Sequence, residues 1–223
     1  MSLKHLGIIA DGNRRWAKAQ GLPTIEGHKK GLDVIQELVE AASKTEIEYL
    51  TFYVFSTENW GRSADEVGYI MKLAETRILK YAEKLKKHNA KLIILGSKER
   101  ISPTLASIIE KAEKLTEDCT GLTVCFCFNY GGEQEIADAA NIALKAEGEI
   151  TPETIRKHLY HPEVPDVDMV VRTSGEERIS GFMLWRASYA EFMFLKKYFP
   201  EMDAGDIEKI LKEFESRSRR FGK

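Results

Sequence analysis

The sequence lacks the features that would assign it to several specialised classes of protein. Its 223 residues include three cysteines, too few for a disulfide framework and suited to a reducing cytoplasm. No apolar run approaches the roughly 18 residues of a membrane span, and the amino terminus leads into too short an apolar run for a signal peptide. The 33 basic and 35 acidic residues leave none of the basic excess typical of nucleic-acid binders. We therefore expect a cytoplasmic globular protein with no nucleic-acid partner.

Three common catalytic motifs are also missing. The chain has no Gly-x-x-x-x-Gly-Lys-Ser/Thr phosphate loop, no Gly-x-Gly-x-x-Gly fingerprint and no Gly-x-Ser-x-Gly elbow, so nucleotide-driven, nicotinamide and hydrolase chemistry have no sequence support. Prolines number only six, and no internal repeat, low-complexity tract or Pro/Gly-rich linker divides the chain. We expect one domain spanning residues 1–223.

Short apolar runs alternate with amphipathic stretches along the whole chain. The runs predict strands at 6–10, 49–55, 92–95, 122–128, 168–172 and 190–195. Helical spacing and capping residues predict helices after 27, from 63 to about 89, from 102, at 134–145, from 151, and from 203 to about 221. This alternation is typical of an α/β fold: a mainly parallel central sheet of about six strands flanked by helices.

Polar residues follow the first predicted strand, at the strand end where parallel sheets place their sites. The block 11–16 contains Asp11, Gly12, Arg14 and Arg15. Arginine binds phosphate oxygens bidentately and aspartate can hold Mg²⁺, so the block suits a metal-bridged phosphate. A turn carrying two solvated arginines explains the same residues equally well.

Two further blocks have the same character. Residues 56–62, after the second strand, suit a pocket rim, although Trp60 could instead pack into the core as a helix staple. In residues 172–182, two arginines flank a Ser/Thr/Gly loop that can offer backbone N–H groups to an anion. Glu191 falls near a strand start, where a buried carboxylate would need a cation. His28 is placed at the start of a helix, where N–H groups favour anions.

Two clusters give weaker signals. His158 and His161 have the i,i+3 spacing of a metal pair, but no Cys or further His joins them, and a helix-ending turn is the better interpretation. Cys125 and Cys127 share one face of a predicted strand, where we interpret them as small buried hydrophobes.

Six blocks together resemble the cis-prenyltransferases, the undecaprenyl diphosphate synthase family. They occur in the family's order and spacing across nearly the whole chain, at 8–17, 27–31, 55–60, 129–132, 172–176 and 219–222. The resemblance implies Mg²⁺-dependent condensation of isopentenyl diphosphate onto an allylic diphosphate such as farnesyl diphosphate, each new double bond being cis. It also implies an apolar channel, a homodimer, a long product of undecaprenyl size for the cell-wall lipid carrier, and peripheral membrane contact during product release.

The resemblance also implies roles for individual residues. Asp11 would be the central catalytic acid, coordinating Mg²⁺ together with Glu191, and Asn59 would assist removal of the isopentenyl proton. The substrate-binding residues would be Gly12, Asn13, Arg14, Arg15, Trp16, His28, Ser56, Thr57, Glu58, Trp60, Arg62, Arg172, Arg178, Ile179, Ser180, Arg220 and Gly222. Of these, Arg220 and Gly222 would reach the phosphate site of the partner subunit.

Two alternatives remain open at the level of sequence. A phosphatase of the haloacid-dehalogenase type also has an Asp after its first strand, but it needs a second Asp two residues later, where this chain has Asn13. A non-catalytic polyprenyl-phosphate binder, or a partner subunit of the same fold, would be indicated by loss of Asp11 or of the Asn59 block. Both are present.

Overall fold

Six strands form one sheet in the computed structural model, which describes residues 2–217. They are β1 (His5–Ile9), β2 (Tyr49–Ser56), β3 (Lys91–Leu95), β4 (Thr123–Tyr130), β5 (Met169–Arg172) and β6 (Glu191–Phe194). Their order across the sheet is β3-β4-β2-β1-β5-β6, and the pairs β1·β5, β3·β4 and β5·β6 are parallel. The predicted parallel sheet is confirmed. All five residues of β1 are buried, as expected for a strand covered on both faces.

Helices follow most of the strands. They are α1 (Asn13–Ala19), α2 (Thr24–Ala42), α3 (Ala64–Lys87), α4 (Pro103–Leu115), α5 (Gly132–Glu147), α6 (Pro152–His158) and α7 (Ala204–Ser216), with 3₁₀ turns at Thr57–Gly61 and Phe199–Glu201. The predicted caps are confirmed at three helix starts, because Ser63, Ser102 and Thr151 each accept a hydrogen bond from a backbone N–H in the first turn. In the described part of the chain, no helix is both long and apolar enough to cross a membrane.

Three predictions about helices were wrong. No helix was predicted directly after the first strand, but Asn13–Ala19 form α1. The second helix begins at Thr24 and not after Gly27. Gly27 lies inside the helix, where a Cβ would lie 2.0 Å from the Asn13 carbonyl oxygen. His28 therefore lies in the second turn, beyond the unpaired N–H groups of the helix start. Finally, α7 ends at Ser216, short of residue 221, and Arg217 is extended.

The described residues group into two compact units, and β2 contributes to both. Unit one comprises residues 2–52, 166–180 and 186–217, and it buries Leu6, Leu38 and Val170. Unit two comprises residues 53–165 and 181–185, and it buries Leu92 and Val124. The assignment of residues 1–223 to one domain stays a prediction.

Candidate active site

The backbone of Asp11, which lies just beyond β1 in unit one, is held by β5 and by the second 3₁₀ turn. β1 and β5 pair with Ile9 opposite Arg172, so Thr173 comes level with the end of β1. The Asp11 N–H donates to Thr173 Oγ1 at 3.0 Å, and Thr173 Oγ1 donates to the Asp11 carbonyl at 2.7 Å. The Phe199 N–H donates to the same carbonyl at 2.9 Å. The parallel pairing of β1 with β5 therefore fixes the position of the Asp11 backbone, from which the carboxylate side chain extends.

The Arg172 side chain links Asp11 to the loop after β5. Its Nη2 donates to Asp11 Oδ2 at 2.9 Å, while Nη1 donates to the Arg178 carbonyl at 2.6 Å and to Ser180 Oγ at 2.9 Å. Only 5% of the Arg172 side chain is exposed. Arg172 thus brings together residues of two blocks that are distant in the sequence. Asp11 comes from the block 11–16, and Arg172, Arg178 and Ser180 come from the block 172–182.

A second arginine binds the other oxygen of Asp11. Arg15 Nη2 lies 3.2 Å from Asp11 Oδ1, and Arg15 Nη1 donates to Glu176 Oε1 at 2.9 Å. Arg178 Nη1 donates to Glu176 Oε2 at 2.6 Å, and the Arg15 guanidinium lies 5.8 Å from the centre of the Tyr198 ring. We refer to these residues as the Asp11 cluster: Asp11, Arg15, Arg172, Glu176, Arg178 and Ser180.

Both carboxylates of the Asp11 cluster are ionised at neutral pH. Burial alone would raise the pKa of Asp11, but the hydrogen bond from Arg172 and the charges of Arg15 and Arg172 outweigh it and hold that pKa below its usual value. Hydrogen bonds from Arg178 and Arg15 likewise lower the pKa of Glu176. The cluster therefore presents three guanidinium groups against two carboxylates, an excess of positive charge.

The backbone beside Asp11 forms a close-fitting cradle. Gly12 has a φ of +100°, and a Cβ there would lie 2.1 Å from Ser174 Oγ and 2.7 Å from the Tyr198 ring. Nearby, the buried atoms Asn13 Oδ1, Arg172 Nε and Ser174 Oγ have no hydrogen-bond partner among the described residues. Buried polar atoms are normally hydrogen-bonded, so these atoms indicate a place for a polar ligand.

Asp11 is suited to hold a divalent cation together with a phosphate ligand. Mg²⁺ is usually bound by one or two carboxylates plus substrate phosphate oxygens, and Asp11 offers an ionised, partly exposed carboxylate beside guanidinium groups that favour phosphate. Residues 2–217 contain no group of three or more His, Cys, Asp or Glu side chains arranged to hold a metal.

Glu191, the second expected Mg²⁺ ligand, is not brought to Asp11. It opens β6 opposite Met169, three positions before the Arg172–Phe194 pair, which corresponds to about 10 Å along the strands. Its Oε2 accepts from Arg217 Nη1 at 3.1 Å. In this chain Glu191 thus lies at the other end of the strands from the Asp11 cluster.

The block after β2 lies in unit two, mostly in a 3₁₀ turn. Asn59 Oδ1 accepts from the Ser56 N–H at 3.2 Å, which fixes the amide of the predicted catalytic residue. Trp60 Nε1 donates to Asn129 Oδ1 at 2.7 Å, and Arg100 lies 4.5 Å above the Trp60 ring. Trp60 is half-buried rather than a core staple.

A cavity of about 490 Å³ opens beside this block in unit two. It is lined by Trp60, Arg62, Ala64, Val67, Gly68, Met71, Glu75, Arg100, Ser102 and Leu105. The apolar face of α3 is only half-buried along Val67, Ile70 and Met71. The predicted apolar channel stays a prediction, but this part of α3 leaves apolar surface available for one.

The remaining predicted residues are distributed as follows. Arg14 and Glu58 are exposed, whereas Trp16, His28, Thr57 and Ile179 are half-buried. Arg220 and Gly222 lie outside the described residues. His158 pairs with Glu147, and His161 with Glu163. Cys125 and Cys127 are buried, as expected.

Sequence reasoning missed several residues of these sites. Three of them, Thr173, Ser174 and Glu176, lie inside the predicted block 172–182, so their place in the sequence could have indicated them. Tyr198 and Arg100 come from segments with no local motif, and they reach the sites only through the fold.

Comparison with known proteins gives consistent matches over the whole chain. The family model Prenyltransf, described as "Putative undecaprenyl diphosphate synthase", matches residues 9–222. An isoprenyl transferase of Neisseria meningitidis serogroup B is 44% identical over 222 residues, covering 99% of this chain and 89% of the relative. A protein of Vibrio parahaemolyticus named ditrans,polycis-undecaprenyl-diphosphate synthase ((2E,6E)-farnesyl-diphosphate specific) is 44% identical over 226 residues, covering 98% and 90%.

Solved structures show the same similarity. Lavandulyl diphosphate synthase from Lavandula x intermedia, in complex with dimethylallyl diphosphate, matches with a TM-score of 0.94 and 31% identity, covering 100% of this chain and 99% of the other. A probable undecaprenyl diphosphate synthase from Campylobacter jejuni matches with a TM-score of 0.86 and 33% identity, covering 100% of both chains.

Proposed function

Because the chain belongs to the undecaprenyl diphosphate synthase family of prenyltransferases, we propose that the Asp11 cluster is its diphosphate-binding catalytic centre. The protein is a prenyltransferase that elongates a prenyl chain by cis addition. The observation that carries the assignment of the centre is the Asp11 carboxylate, ionised and bound by Arg172 and Arg15. A merely structural ion pair would not leave buried polar atoms unbonded beside it.

The proposed reaction joins isopentenyl diphosphate to an allylic diphosphate. The allylic C1–O bond breaks and diphosphate leaves, while C4 of isopentenyl diphosphate forms a bond to that C1. A proton is then lost from C2, and the product is five carbons longer with one new cis double bond. Two diphosphates in one site bring a large negative charge, and stabilising the charge on the leaving group is the main electrostatic task.

The guanidinium groups of the Asp11 cluster perform this task. Arg172, Arg178 and Ser180 hold the isopentenyl diphosphate, and the segment from Gly12 to Arg15 holds the allylic diphosphate with His28. Arginine suits both, since its planar fork binds two phosphate oxygens at once. Because Arg172 is almost fully buried and already fixed by Ser180, it needs little reorganisation when the ligand arrives.

Asp11 would hold Mg²⁺ together with diphosphate oxygens. When bound, Mg²⁺ supplies Lewis-acid neutralisation of the leaving diphosphate. Asn59 would assist removal of the C2 proton, with its amide oriented by the Ser56 N–H.

We extend the proposal to the biological setting. The primer is farnesyl diphosphate and the product is undecaprenyl diphosphate, as the name of the Vibrio relative supports. This product would supply the cell-wall lipid carrier. The enzyme acts as a cytoplasmic homodimer that touches the membrane when its lipid product leaves. A non-catalytic binding role is not proposed, because Asp11 and Asn59 are both present and the relatives are named as transferases.

The test is turnover by purified protein. Farnesyl diphosphate, labelled isopentenyl diphosphate and Mg²⁺ should yield a long polyprenyl diphosphate with cis double bonds, and chelation should stop the reaction. Absence of any elongated product at every Mg²⁺ concentration would overturn the proposed function. Product length, read by mass spectrometry, tests the undecaprenyl assignment separately.

A further inference from the structure

The Asn129 side chain, near the end of β4 in unit two, is almost completely buried and hydrogen-bonded at both ends of its amide. Only 2% of Asn129 is exposed. Its Oδ1 accepts from Trp60 Nε1 at 2.7 Å, and its Nδ2 donates to the Ser97 and Glu99 carbonyls at 2.8 and 2.7 Å. Asn129 belongs to the block 129–132, but the family resemblance implies no role for it.

The surroundings of Asn129 require an amide on a short side chain. An indole N–H can only donate and a backbone carbonyl can only accept, so the three partners need one acceptor and two donors together. The backbone at residue 129 also has a φ of +51°, a left-handed conformation in which asparagine is several-fold enriched. Asparagine meets both requirements, whereas aspartate lacks the donors and glycine lacks the side chain.

Asn129 also holds the loop that follows β3. The Ser97 N–H donates to the Asn129 carbonyl at 3.0 Å, in addition to the bonds from Nδ2 to the Ser97 and Glu99 carbonyls. The next residue of this loop is Arg100, whose guanidinium lies 4.5 Å from the centre of the Trp60 ring. Asn129 therefore fixes the segment that brings Arg100 onto the indole.

The Trp60 indole is thus held from three directions. Asn129 binds its N–H, Arg100 covers one face, and Phe55 packs edge-to-face at 5.4 Å between ring centres. Trp60 follows Asn59 directly in the same 3₁₀ turn, so the orientation of the indole and the path of that turn are linked. Trp60 is half-buried and lines the cavity of unit two, where its ring can contact a ligand.

We propose that Asn129 is a positioning residue for the transfer reaction, which fixes the Trp60 indole directly and brings Arg100 onto it through residues 97–99. The holding of Trp60 does not depend on any reaction. Its consequence for turnover rests on the proposed function, with Trp60 among the substrate-binding residues.

The indole N–H resonances of the ligand-free protein test the hydrogen bond directly. The chain has three tryptophans, and the Trp60 resonance is identified by its loss in Trp60→Phe. In Asn129→Gly, a change that the left-handed backbone accepts, exchange of the Trp60 indole proton with solvent should speed at least about tenfold.

Asn89→Gly is the matched control for this experiment. Asn89 also has a positive φ, of +53°, and its side chain also makes hydrogen bonds, in this case with Thr120. The substitution and the backbone conformation are therefore the same, but the Trp60 indole is not touched. Exchange of the Trp60 indole proton should stay as in the parent protein.

Steady-state kinetics distinguishes positioning from a general effect on the fold. The value of kcat/KM should fall about tenfold or more in Asn129→Gly, because the indole loses its fixed orientation, and should stay within about twofold of the parent in Asn89→Gly. In a Trp60→Leu background, Asn129→Gly should lower kcat/KM by no more than about a further twofold, since Asn129 acts through Trp60.

Unchanged exchange of the Trp60 indole proton in Asn129→Gly would overturn the proposal. An undiminished effect of Asn129→Gly in the Trp60→Leu background would also overturn it, because the role of Asn129 would then be structural. If Asn129→Gly does not fold, Trp60→Phe decides, because it removes the same hydrogen bond and keeps an aromatic ring. A fall in kcat/KM of about threefold or more in Trp60→Phe would support the proposal, and the parent value would overturn it. A parent protein without turnover would refute the proposed function, yet the indole experiment would still decide whether Asn129 holds Trp60.

Discussion

The Thr173 hydroxyl bonds both backbone polar groups of Asp11, accepting from its N–H at 3.0 Å and donating to its carbonyl at 2.7 Å. Thr173 is fully buried, so water cannot replace the hydroxyl. The position of the proposed catalytic carboxylate thus depends on a side chain that belongs to another strand end.

Thr173→Val keeps the shape of the side chain and removes the hydroxyl. We expect the free energy of unfolding to fall by about 1 kcal/mol, because the Asp11 N–H and the Asp11 carbonyl each lose one of their two hydrogen-bond partners and keep the other. We expect kcat/KM to fall about tenfold or more, because the carboxylate loses its fixed position. Thr173→Ser, which keeps the hydroxyl, should lose much less of both. Equal kinetics in the two variants would show that this hydrogen bond does not position Asp11.

Asp11→Ala should lower turnover by at least about a hundredfold, the scale expected for removing a main electrostatic element of a site. Asp33→Asn, an exposed change on α2, is the control and should retain the parent activity. Steady-state assays with saturating diphosphates measure both. Turnover of Asp11→Ala close to that of the parent would remove this carboxylate from the mechanism.

The ion pairs of Asp11 should make stability depend on pH in the acid range. Because its folded-state pKa lies below the ordinary value of 3.8, the unfolded state binds the proton more readily. The stability that Asp11 contributes is complete above about pH 5 and is lost as the pH falls through its folded-state pKa. Urea unfolding of the parent and Asp11→Asn should therefore differ by a constant amount from pH 7 to 5, and by less towards pH 3. A constant difference down to pH 3 would contradict the lowered pKa.

His161 should produce the opposite dependence in unit two. Its hydrogen bond to Glu113 raises its pKa, burial opposes this, and the bond to Glu163 raises it further. Both of these hydrogen-bond partners are carboxylates, and Lys91 also acts on Glu163. The stability from protonated His161 is complete below its ordinary value of 6.5 and is lost as the pH rises through the folded-state value.

His161→Asn is the appropriate variant, because residue 161 has a φ of +48° and asparagine tolerates that conformation. The unfolding free energies of parent and variant should converge between about pH 6 and 9. If the two unfolding free energies converged as the pH fell, the pKa of His161 would be lowered and not raised in the folded protein.

Two glycines with positive φ allow a matched test of the cradle beside Asp11. A Cβ at Gly21 would have no atom within 4 Å, so Gly21→Ala should cost about 1 kcal/mol for the left-handed backbone alone. A Cβ at Gly12 would collide with Ser174 and Tyr198, so Gly12→Ala should cost at least about 2 kcal/mol more and reduce activity. Thermal unfolding of both variants measures the difference. Equal losses of stability in the two variants would show that Ser174 and Tyr198 move aside for a Cβ at Gly12 at little energetic cost.

The sequence was most informative where local chemistry decides the structure. The strands, the caps at Ser63 and Ser102, and the polar blocks around Asp11 and Arg172 all follow from patterns a few residues long. Helix α1 was missed because its turns carry few apolar residues, and a polar block after a strand has the same composition as a loop.

Long-range relationships had no such local pattern. The position of Glu191 relative to Asp11 depends on the register of β6 against β5, which a single sequence does not specify. The contact of Arg100 with Trp60 likewise joins residues 40 positions apart in the chain, and neither residue's neighbours indicate it.

Glu176 gives the proposed diphosphate site a threshold for ligand charge. Arg15 and Arg178 already share this carboxylate, so an incoming anion does not meet bare cations and must exchange with an anion that is present. A ligand with a single negative charge gains little from that exchange, because it replaces one unit of charge with another. A diphosphate carries more negative charge than the carboxylate that it displaces, so it interacts more favourably with Arg15 and Arg178 than Glu176 does. The resting ion pairs would therefore favour diphosphates over monocarboxylates before any contact with the hydrocarbon chain is made.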